Sequence, residues 1–151
     1  MFCRASNVRR NRNWRRQYAS KPRRIFGPVP CSSIDRTHTF IQWLFPLAEP
    51  SLSSPGSPTL NADEIAALRG LSAVRENILN SADWYGAFLS RNPHWKVRYD
   101  HNHLRITRVI KSLRLLVDDV QPKRFRERVF QMLGEDHAIV GQKALEFWNK
   151  A

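Results

Sequence analysis

An all-α fold is the class this sequence predicts, and three observations predict it. Apolar residues recur at three- and four-residue intervals through most of the chain beyond residue 34. No stretch alternates apolar and polar residues over a strand's length. Proline, glycine and one Asn-Pro step interrupt the periodic stretches at intervals that suit about six helices, packed ridges into grooves. The 151 residues are enough for one domain of ordinary size that buries its core without staples. The expected organisation is a flexible basic arm over residues 1–33 and a helical domain over residues 34–151.

The arm explains most of the charge. Residues 1–34 carry nine Lys and Arg and no acid. The rest carries 25 − 9 = 16 basic and 13 acidic residues, so the formal net charge of +12 is mainly a property of the arm. Within it, Arg9, Arg10, Arg12, Trp14, Arg15 and Arg16 interleave cations with an aromatic ring. That composition suits phosphate neutralisation with base stacking, so nucleic-acid contact is the alternative function.

Each helix has its own signals. The first is expected over about residues 34–45, capped by Ser33 or Asp35 and stopped by Pro46. On it Phe40, Ile41, Leu44 and Leu47 share one side, Trp43 lies beside Phe40, and His38, Thr39 and Gln42 share the other. A buried core helix is the expected use of that surface. Residues 46–60, rich in Pro and Ser, form a connection. Asn61 opens the second helix with Glu64 three positions on, the spacing of a capping box, and Gly70 ends it. Ser72 begins the third, with Val74, Ile78, Ala82, Tyr85 and Leu89 as its apolar face and Asn92-Pro93 as its stop. Residues 93–101 read as a loop or short strand. The fourth helix runs from about Asn102 to Leu116, with Leu104, Ile106, Val109, Ile110, Leu113 and Leu116 facing the core. Gln121-Pro122 starts the fifth, with Phe125, Val129, Met132 and Leu133 on its stripe and Gly134 at its close. The sixth is expected to start near Asp136 and to carry Val140, Ala144, Leu145 and Trp148.

Several function classes find no support. No apolar run approaches the roughly 18 residues of a spanning helix. Cys3 and Cys31 form no CxxC pair and read as free thiols in a reducing, cytoplasmic setting. No nucleophile elbow or Gly-rich phosphate loop is present, so no enzyme activity and no cofactor is expected. His94, His101 and His103 beside Asp100 invite a metal reading, and "DHNH" is superficially similar to a nuclease motif. A metal site needs more converging ligands than these supply, so no metal is expected, and Asp100 or Asn102 caps the fourth helix instead.

Two long stretches together resemble one family. "HTFIQWLFPL" (38–47) and "HNHLRITRVIKSLRLL" (101–116) resemble segments of the opioid growth factor receptor conserved domain. "LNADEIAAL", "WYGAFL" and the closing "ALEFWNKA" are similar to further parts of it, and the resemblance covers about residues 36–151. The chain looks like the short single-domain members, including bacterial ones, although a basic arm stands where the family has further helical sequence. The resemblance implies a non-enzymatic helical binding domain. In the animal receptor the ligand is a short opioid peptide, Met-enkephalin, and only analogy with that receptor suggests membrane or nuclear association. The expected ligand is a short peptide or another anion. The candidate binding residues are Gln42 and Trp43 on the first helix and His101, His103, Arg105 and Arg108 on the fourth. Arg105 and Arg108, at i and i+3, can present two planar forks to a carboxylate or phosphate. The oligomeric state is left open.

Overall fold

The computed structural model describes residues 40–51, 54–57 and 59–151. Among them are six α-helices: α1 (Phe40–Leu44), α2 (Ala62–Arg69), α3 (Ser72–Arg91), α4 (His101–Leu116), α5 (Gln121–Leu133) and α6 (Gln142–Lys150). Two 3₁₀ turns, Pro93–Trp95 and Gly134–Ala138, complete the list of elements. No strand occurs among the described residues, and one isolated bridge joins Leu47 to Thr59. The expected all-α class is therefore the observed one. The basic arm, with Arg9, Arg10, Arg12, Trp14, Arg15 and Arg16, lies outside the described residues, as do the expected caps Ser33 and Asp35.

The chain forms two compact units, one up to Asn77 and one from Ile78 to Ala151, and the division falls inside α3. In the first unit α1 buries Ile41 and Leu44, and the next residues bury Phe45 and Leu47. Trp43 is only half-buried, whereas Phe45 has no exposed surface. Gln42 departs from the expected polar strip: it is 4% exposed, and its amide donates to the Ser51 hydroxyl at 3.4 Å. A five-residue helix turns too little for its sides to separate cleanly, and that hydrogen bond lets the polar group be buried.

After α1 the chain makes a closed excursion. Leu60 N–H donates to the Leu47 carbonyl at 2.9 Å, tying the two ends together. Ser54-Pro55-Gly56-Ser57 forms the tightest turn: Ser57 N–H donates to the Ser54 carbonyl at 3.1 Å, and Gly56 has φ 84°. Proline followed by a positive-φ glycine is what a type II turn requires. The expected capping box then opens α2. Asn61 Oδ1 accepts from Glu64 N–H at 2.9 Å, and Glu64 Oε2 accepts from Asn61 N–H at 3.0 Å.

On α3 all five expected core residues, Val74, Ile78, Ala82, Tyr85 and Leu89, are buried, as is Phe88. In the second unit α4 is the central helix. α5 and α6 both pack on it, and the Pro93–Trp95 turn lies against it. Ile106, Val109, Ile110, Leu113 and Leu116 are buried as expected, but Leu104 is 66% exposed. The reason is angular: Leu104 falls outside the arc that Ile106, Val109 and Ile110 define, and the polar Asn102, His103, Arg105 and Ser112 fill that arc instead.

The last helix also starts later than expected, at Gln142. Gly134 turns the chain with φ 56° and ψ −122°, residues after it form a 3₁₀ turn, and Gly141 is extended with φ −59° and ψ 133°. At Gly141 the backbone passes so close to Arg98 that an added Cβ would lie 2.9 Å from the Arg98 carbonyl oxygen. Gly141 N–H donates to that same carbonyl at 3.3 Å. A helix begun at Asp136 could not make this approach.

Candidate functional site

Asp100 sets the start of α4. Its backbone is extended, φ −149° and ψ 149°, and Oδ1 accepts from Asn102 N–H at 2.7 Å. This satisfies one of the free N–H groups that every helix start leaves. No acidic side chain follows in the first turn.

Behind the cap lies a buried polar cluster. The Asn102 side-chain oxygen accepts from the Tyr85 hydroxyl at 2.9 Å and from Arg105 Nη1 at 3.1 Å. One amide oxygen has two lone pairs and both are used. Tyr85 is wholly buried, Asn102 nearly so, and Arg105 is 6% exposed. Sequence periodicity places Tyr85 in the core but carries no hint that its hydroxyl reaches a helix start seventeen residues on. The signal that could have found it is a tyrosine on an apolar face, since a buried phenol needs a partner.

A second cluster is aromatic. His103 is buried, and its Nε2 lies 2.9 Å from the Trp95 carbonyl. A carbonyl only accepts, so Nε2 carries the proton. The Trp148 indole sits edge-on to His103 at 5.6 Å, to Trp95 at 6.4 Å and to Phe130 at 6.1 Å. Its Nε1 donates to the His103 carbonyl at 3.0 Å, and the Trp95 indole donates to the Leu89 carbonyl at 3.0 Å. Four elements thus meet around Trp148: the Pro93–Trp95 turn, α4, α5 and α6. His103 is a structural member of this group as well as a candidate contact.

The remaining candidates lie elsewhere along the chain. His101 is exposed at the first residue of α4, and Arg108 is half-buried two turns on. Gln42 and Trp43 belong to the first unit. Among the described residues no group of three or more His, Cys, Asp or Glu converges as a metal site would require. No helix of the described residues is long and apolar enough to cross a membrane.

Comparison with known proteins follows the same residues. A family model described as the opioid growth factor receptor conserved region matches residues 31–148. The rat opioid growth factor receptor is 33% identical over 98 residues, which cover 53% of this chain and 17% of the receptor. The human receptor is 30% identical over 98 residues, 53% of this chain and 14% of its own length. The opioid growth factor receptor-like protein 1 of Xenopus tropicalis is 32% identical over 96 residues, 53% of this chain and 19% of its own length. The chain therefore spans less than a fifth of the length of these relatives, which are named as receptors and not as enzymes. No solved structure matches it. The family match covers well over half of the chain, and the chain belongs to the opioid growth factor receptor conserved-region family.

Proposed function

We propose that this member of the opioid growth factor receptor family is a non-enzymatic binding domain for a short peptide or similar anionic ligand, which it meets at the N-terminal end of α4. The observation that carries the reading is Arg105. Taking a guanidinium out of water costs several kcal/mol before compensation, and an apolar residue of similar size would avoid that cost. Arg105 is nevertheless buried one turn into α4, held by Asn102, close to a helix end whose free N–H groups favour negative charge. His101 and Arg108 are the proposed direct contacts. Arg105 and His103 act from beneath, the first through its charge and the second by fixing the helix start to Trp95. In the first unit, Gln42 and Trp43 are proposed separately as ligand contacts of α1.

Calorimetry tests this with Met-enkephalin, the ligand the family resemblance implies, and with its C-terminal amide. The acid should bind and the amide should bind about tenfold more weakly, a difference near 1.4 kcal/mol. Arg108→Gln should abolish that difference with little change in melting temperature. Equal binding of acid and amide, or the same preference after Arg105→Gln and Arg108→Gln together, would remove the arginine site from the proposal.

A further inference from the structure

We infer that Tyr85 is a positioning residue of the ligand site: through Asn102, its hydroxyl holds the Arg105 guanidinium where the site uses its charge. This rests on the binding-domain reading and adds a residue to that same site. Three side chains form the relay. Tyr85 Oη donates to Asn102 Oδ1 at 2.9 Å, and Arg105 Nη1 donates to the same oxygen at 3.1 Å. The Asn102 backbone N–H donates to the capping carboxylate of Asp100 at 2.7 Å. Asn102 therefore joins the α4 start, by its backbone, to Arg105, by its side chain.

The three members differ in how firmly each is placed. Tyr85 belongs to the core of α3: it has no exposed surface, and its ring lies on Phe88 with centroids 5.9 Å apart and planes 15° from parallel. A ring packed in this way has little room to turn. An amide is less defined, because its last torsion has broad wells. Arginine is a long side chain with high rotamer entropy. Asn102 and Arg105 alone would be two adjustable groups holding one another. The Tyr85 hydroxyl fixes the amide oxygen from the rigid core, and that oxygen then fixes the guanidinium. Tyr85 and Arg105 both donate, so Asn102 must present its oxygen to them and not its amide nitrogen. The placement matters because an electrostatic contact weakens with distance, and supporting residues set that distance.

Tyr85→Phe tests this, because it deletes the hydroxyl and keeps the ring. Val129→Ala is the control: it trims a wholly buried α5 side chain and leaves the relay intact. Nitrogen-15 NMR of the ligand-free full chain is the first readout. The Arg105 guanidinium signals, assigned by their loss in Arg105→Gln, should be sharp in the parent and in Val129→Ala and should broaden in Tyr85→Phe. Adding Asn102→Asp to Tyr85→Phe should sharpen them again, because a carboxylate grips a guanidinium unaided. Calorimetry is the second readout. Tyr85→Phe should cut the preference for Met-enkephalin over its amide from about tenfold to about threefold or less, while Val129→Ala keeps it. Arg105 signals that are the same in Tyr85→Phe as in the parent overturn the inference, as do signals that Asn102→Asp does not restore. So does a lowered melting temperature with the tenfold preference intact, which is what a purely structural tyrosine gives. The two readings fail separately: a parent that binds acid and amide equally removes the anion site, and the NMR comparison still decides whether Tyr85 positions Arg105.

Discussion

α2 and α4 both begin with a side-chain cap, yet they are held in place by opposite means. α2 has eight residues and one buried side chain, Leu68. Its order comes from sequence neighbours: the reciprocal Asn61–Glu64 box, Asp63 and Glu64 at the positive end of the helix dipole and Arg69 at the negative end. α4 has sixteen residues, nine of them buried, and four of those nine are polar. Its order comes from distant partners: Tyr85, Trp95 and Trp148 each bond to its first turn. A locally determined helix tolerates change in the rest of the fold, whereas a helix determined by packing registers every change in what surrounds it.

The largest expected blow to this contrast comes from outside α4. Trp148→Ala removes a fully buried indole from the meeting point of four elements, and it should cost about 3–5 kcal/mol. Denaturant titration followed by circular dichroism measures it. Loss of less than about 1 kcal/mol would mean that α4 does not depend on that cluster.

A smaller effect sharpens the contrast from within. Asn102→Ala strips the acceptor shared by Tyr85 and Arg105 and should cost about 1–3 kcal/mol. Asn102→Asp keeps the acceptor and gives Arg105 a formal charge partner, so it should lose less. If the two variants melt at the same temperature, the shared oxygen is not what holds the cluster.

The smallest effect belongs to α2. Asn61→Ala deletes one half of the capping box and should cost about 0.5–2 kcal/mol. Hydrogen exchange should show faster opening of α2 while the protection of α4 stays the same. A matching loss of protection in α4 would contradict a purely local account of α2.

This difference also decides what could be read from the sequence. The start and stop of α2 are legible because the residues that fix them, Asn61, Glu64 and Gly70, lie within nine positions of one another. The five core residues of α3 were legible because an apolar period needs no knowledge of the partner. Misreadings cluster where polar side chains are buried or where glycine reroutes the chain. Hydropathy assigns Leu104 to the core and Gln42 to the polar side because it ranks a leucine above an asparagine, arginine or glutamine, whereas Leu104 is exposed and Gln42 buried. Side-chain hydrogen bonds reverse that ranking at Asn102, Arg105 and Gln42. Likewise Arg98, whose carbonyl fixes Gly141, lies too far away in sequence to signal a late start for α6. For the candidate site, the motif residues of α4 were legible by resemblance, while the Tyr85 and Trp148 partners that brace them were not.

Gly134, which closes α5, has a consequence for protein chemistry. Its φ of 56° and ψ of −122° lie where an L side chain is strained, at a cost on the order of 1–3 kcal/mol. Yet a Cβ built there meets nothing within 4 Å. The restriction is therefore one of handedness and not of space. Inverting both angles gives an ordinary extended conformation for the mirror-image residue, so D-alanine fits where L-alanine does not. Chemical synthesis with D-alanine at position 134 should raise stability by about 0.4–1 kcal/mol, because it narrows the unfolded ensemble and leaves the native turn untouched. The L-alanine variant should fall below the parent, and the gap between the two enantiomers, read by thermal melting, isolates the chirality of one turn from everything packed around it.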